Sequence, residues 1–81
     1  MTRIGIVERV FQVHEQLIIS ISGDFNTDLR IKNGDVIQVG KFGDVVVSGL
    51  KFWSEHNVMD VLIEKGDRIP ELGEPVYFGN K

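Results

Sequence analysis

The sequence has no cysteine, which removes disulfide staples, thiolate metal sites and cysteine nucleophiles together. The core alone must hold the chain. No apolar run approaches the length needed to cross a bilayer, and the opening Met1-Thr2-Arg3-Ile4-Gly5-Ile6-Val7-Glu8 lacks the long apolar stretch and small-residue cleavage site of a secretory signal. A cytoplasmic protein with no membrane partner is expected. An excess of positive charge is also missing, since nine Lys and Arg face twelve Asp and Glu for a net charge of −3. That balance disfavours nonspecific binding to nucleic-acid phosphates.

What remains is ordinary globular material of 81 residues, 42% apolar and 26% charged, enough for one compact domain and one small core. It should fold without a partner. From Met1 to Ser54 acids and bases balance, so the whole acidic excess falls between Glu55 and Lys81, where Glu55, Asp60, Glu64, Asp67, Glu71 and Glu74 face Lys65, Arg68 and Lys81. Such an edge suits a basic protein partner or merely keeps the domain soluble.

The clearest architectural signal is Leu29 to Val39, an apolar approach, an Asn33-Gly34-Asp35 turn and a strand leaving it. Asn and Gly accept positive φ, and the Asp carboxylate can accept from a nearby backbone N–H, so the reversal closes without strain. A hairpin-like turn is expected. Alternating apolar residues predict strands over Ile4–Val13, with Gly5 as a bulge or kink, and over Leu17–Ser22, with Leu17, Ile19 and Ile21 inward and the two strands antiparallel. Val45–Trp53 reads as one long β-branched and aromatic strand, Val58–Ile63 as another and Val76–Phe78 as the last. Arg68 to Pro75 is a loop stiffened by two prolines, with Ile69 and Leu72 as plugs beneath it. With no helical segment, this spacing implies an all-β fold, a small closed or partly closed antiparallel barrel of about six or seven strands.

Chemistry-bearing constellations are sparse. His14-Glu15 and Glu55-His56 would offer two imidazoles and two carboxylates to a metal if their turns met. Nothing in the sequence brings them together, so neither metal nor other cofactor is expected. The serines sit in no nucleophile-elbow or triad-like context, and no catalytic residues or small-molecule substrate are implied. Phe52-Trp53 followed by Glu55-His56 is the best recognition candidate, because Trp anchors interfaces well. One of the two aromatics should face inward, with Trp53 the expected core filler. Phe52, Trp53, Glu55, His56, Glu71 and Glu74 form the expected partner-binding set.

Several segments together resemble the second, β-barrel domain of translational GTPases such as elongation factor Tu. They are Val7–Val13 for its opening strand, Leu17–Gly23 for the strand ending in glycine, Leu29–Val39 for its Gly-Asp-Val turn and strand, Val45–Trp53, and Asn57–Ile63. The likeness covers nearly the whole chain and implies a barrel that contacts RNA or the ribosome. The loop before the Asn57 strand is cut to Ser54-Glu55-His56-Asn57, so aminoacyl-tRNA contacts do not carry over. A phosphate-binding Gly-x-x-x-x-Gly-Lys-Ser/Thr loop is absent, and Asn57-Val58-Met59-Asp60 lacks the lysine of the guanine-reading motif. Two functions are therefore expected. One is a non-catalytic protein-interaction module, of the adaptor or immunity kind, using the acidic C-terminal surface on a basic protein. The other is an RNA- or ribosome-binding module using Arg30, Lys32, Lys41 and Lys51.

Overall fold

A computed structural model describes residues 2–23, 31–53, 55–64, 66 and 68–79. Its strands are β1 (Thr2–Val13), β2 (Gln16–Ser22), β3 (Val36–Val39), β4 (Gly43–Val46), β5 (Gly49–Trp53), β6 (Val58–Glu64) and β7 (Pro75–Phe78), with one 3-10 turn at Gly40–Phe42 between β3 and β4. All seven form a single antiparallel sheet in the order β4-β3-β7-β1-β2-β6-β5. The fold is all-β, and the sheet coils around one core without its edge strands β4 and β5 pairing, as in a partly closed barrel. Ile4, Val7, Leu17, Ile19, Ile21, Ile37, Val39, Val47, Met59, Val61, Ile63 and Val76 make up that core. Period-two burial on β2 and β6 supplies half of it.

β1 carries apolar residues on both faces because its register slips twice. Against β7 the slip falls between Arg3 and Gly5, and against β2 between Val7 and Arg9. Gly5 is needed at the first, since a Cβ there would collide with the carbonyl oxygen of Ser22. The second slip turns Glu8 and Arg9 both outward after the buried Val7. Phe11 then continues the outer face.

The Lys32–Asp35 turn has the chemistry its residues dictate. Asp35 N donates to Lys32 O at 3.0 Å, Gly34 takes φ 96°, and Lys32 N donates to the Asp35 carboxylate at 3.0 Å. It is not a hairpin, because Ile31 and Lys32 belong to no strand. Instead the turn docks on Val47, with Gly34 N donating to Val47 O at 2.7 Å and Val47 N to Asp35 O at 2.8 Å. Leu29 and Arg30 lie outside the described residues.

Three expectations are corrected. Val45–Trp53 is not one strand but two, broken at Val47–Ser48 and forming opposite edges of the sheet. Val47 is pulled into the core at 1% exposure and Ser48 N bonds Leu62 O at 2.7 Å, so the chain turns a corner there. Ile69 and Leu72 are not plugs, because Pro70 fills the space beneath the loop and leaves both exposed. Trp53 does not fill the core either, since it pairs with Val58 on the outer face and remains 41% exposed.

Candidate functional site

Cross-strand partners share a face, and the ladders place Lys51, Asp60, Ser20 and Arg9 in one row across β5, β6, β2 and β1. Trp53 lies in the next row. Its Nε1–H donates to Asp60 Oδ2 at 2.9 Å, while the Ser20 hydroxyl donates to Asp60 Oδ1 at 2.6 Å. Lys51 Nζ stands 4.1 Å from the centroid of the Trp53 ring. The indole is thus locked at its polar edge and held against an ammonium. Beside it runs a groove of about 540 Å³ lined by Glu8, Arg9, Phe11, Ser20, Trp53, His56, Val58 and Asp60.

On the other side of β1 lies the loop that precedes β7. Val7 N donates to Glu74 O at 2.8 Å and Gly73 N donates to Val7 O at 2.8 Å, clamping the loop to the bulge of β1. At its start Arg68 donates to Phe42 O at 2.7 Å and stacks 5.1 Å from the Phe42 ring centroid. Pro70 is buried, and Gly73 takes φ 89°, the left-handed conformation that turns the chain back into β7. The pinned loop presents Ile69 and Leu72 outward at 51% and 68% exposure. They flank a second groove of about 570 Å³, completed by Glu8, Arg9, Val10, Phe11, Pro70 and Glu71.

The two grooves share Glu8, Arg9 and Phe11. Of the residues expected at the site, the fold gathers Trp53 and His56 on one groove and Glu71 on the other. Glu55 is exposed in the β5–β6 turn and lines neither. Phe52 pairs with the buried Met59, so it has inward parity, yet it sits at the rim and is 47% exposed. The Glu74 carboxylate accepts from Lys41 N at 3.1 Å and so caps the 3-10 turn. The sequence does not single out Phe11, and its expectation for Ile69 and Leu72 is that of plugs rather than exposed surface. For Phe11 the available signal was Arg9, whose charge shares a parity with Phe11 and Val13 and marks that side as solvent-facing beyond the bulge.

The basic residues do not converge. Lys32 pairs with Asp35 at 3.6 Å, Lys41 sits beyond β3, and Lys51 lies on β5 at the other end of the sheet order. Arg30 is outside the described residues. His14 and His56 lie at opposite ends of the β2–β6 ladder, which runs from Gln16↔Glu64 to Ser22↔Val58, about 20 Å of strand. One metal cannot be shared between them. Among the described residues no group of three His, Asp or Glu is placed to hold a metal ion. Comparisons with protein-family models, curated proteins and solved structures produced no match for this chain.

Proposed function

We propose that the chain is a non-catalytic protein-interaction module that engages its partner through the outer face of β1. The observation that carries this is the meeting of two grooves along Glu8, Arg9 and Phe11, with Trp53, Ile69 and Leu72 exposed on either side. Contiguous large apolar side chains rimmed by mixed charges are the anatomy of a protein-binding patch. The acidic excess of the last third supports a narrower role than its sum suggests. Glu55 precedes β6 and Glu64 ends it, while Asp60 and Glu74 accept internal hydrogen bonds.

The alternative, an RNA- or ribosome-binding module like the elongation-factor barrel, is supported by one observation, the Lys51–Trp53 pair. Cation and aromatic together suit a stacked base. The dispersal of Lys32, Lys41 and Lys51 favours the protein reading. Affinity capture with the full chain from its native cell, read by mass spectrometry and RNA sequencing, separates the two. A specific protein recovered by the wild type and lost with Phe11→Ser is expected; ribosomal or transfer RNA without a protein partner would overturn the proposal.

A further inference from the structure

The loop-side groove has a property that the Trp53 side lacks. Around Trp53 the polar groups beside the ring are answered within the molecule: Asp60 by Ser20 and Trp53, and Lys51 by the indole face. Around Leu72 the account is open. Glu8 pairs with Arg9 at 3.7 Å, which leaves Glu71 as the one uncompensated charge on the groove among the described residues. Phe11, Ile69 and Leu72 meanwhile expose 46%, 51% and 68% of their surface.

The backbone that carries Ile69 and Leu72 is held in place. Bonds from Val7 and Gly73 clamp one end of the loop, Arg68 on Phe42 O clamps the other, and Pro70 is sunk between them. A partner that inserts here need not order the loop first, which is the condition under which exposed apolar area turns into affinity.

Resting on the interaction reading above, we infer that this groove takes a segment of a partner protein that carries a large apolar side chain next to a lysine or arginine. The apolar group enters between Phe11 and Leu72, and the cation meets Glu71. An open, largely apolar groove with one unpaired carboxylate on it selects for that pairing and against acid-flanked segments.

The probe is a displayed library of random twelve-residue peptides selected on the immobilised full chain. Wild type is expected to enrich peptides with a bulky apolar residue flanked by Lys or Arg. Leu72→Ser should weaken the best peptide at least about tenfold, and Glu71→Lys should reverse the preference to acidic flanks. Enrichment without basic flanks, no enrichment, or binding indifferent to both substitutions would overturn the inference. So would a dimer in sedimentation at micromolar concentration that Leu72→Ser abolishes, because the occupant would then be a second copy. Thermal unfolding of each variant checks that the fold is intact. If a cellular partner is lost with Phe11→Ser but retained by Leu72→Ser and Glu71→Lys, the interaction module stands and this groove's role falls; if Phe11→Ser retains it too, the module itself falls.

Discussion

The two sides of β1 differ in a way that exposure alone does not register. Trp53 and Leu72 are both solvent-facing, but Trp53 is tied by its N–H to Asp60 and packed under Lys51, whereas Leu72 is 68% exposed and carried outward by a clamped loop. The first is an outer-face network that contributes to stability. The second is surface whose removal would cost the fold little. A large aromatic in the sequence attracts the functional reading, yet the less conspicuous leucine has more unsatisfied surface.

Stability and binding should therefore separate across β1. The largest stability effect falls on the Trp53 side: Asp60→Ala leaves Ser20, only 5% exposed, and the indole N–H without their acceptor, a loss of about 2 kcal/mol. In a domain of this size that lowers Tm by roughly 10 °C, measurable by thermal circular dichroism. Equal stability to wild type would break the comparison. Next, Gly73→Ala places a Cβ at φ 89°, where nothing lies within 4 Å, so its cost is backbone strain of about 1 kcal/mol. It should also loosen the presentation of Leu72, read as faster amide exchange at Gly73 and Val7.

Lys51→Ala comes third, at about 0.5 kcal/mol or less. Trp53 is the only tryptophan, so acrylamide quenching of its fluorescence reports the uncovered ring directly, and an unchanged quenching constant would deny the packing. Leu72→Ser is last, with a stability change within about 0.5 kcal/mol. A larger loss in urea unfolding would mean that Leu72 belongs to the core after all, and the two sides of β1 would no longer differ in kind.

The strands with strict alternation were legible in the sequence. Leu17, Ile19 and Ile21 face inward as read, Gly5 sits at a register slip, and the Asp35 carboxylate closes its turn. What misled was uniformity: Val45-Val46-Val47 looks like uninterrupted strand because β propensity is blind to a corner, and the corner is set by tertiary partners, with Val47 buried in the core and Ser48 N bonded to Leu62 O. Periodicity also cannot rank Ile69, Pro70 and Leu72 as fillers of one space, where the rigid ring of Pro70 won. The site was partly legible. Trp53, His56 and Glu71 were named, but their joining through Phe11 depends on the bulge at Val7/Arg9, which brings segments distant in the chain to one face.

The sheet order has one more consequence. Among the described strands, the first and last, β1 and β7, lie side by side in its interior, with Thr2 opposite Phe78, while β4 and β5 form its rims. During synthesis β1, β2, β6 and β5 can complete their ladders, whereas β3 has only its partner β4 until β7 emerges from the ribosome and bridges the two halves. Completion of the fold therefore waits for the chain through Phe78, and the loop that presents Leu72 is set in place by the same strand that joins the halves.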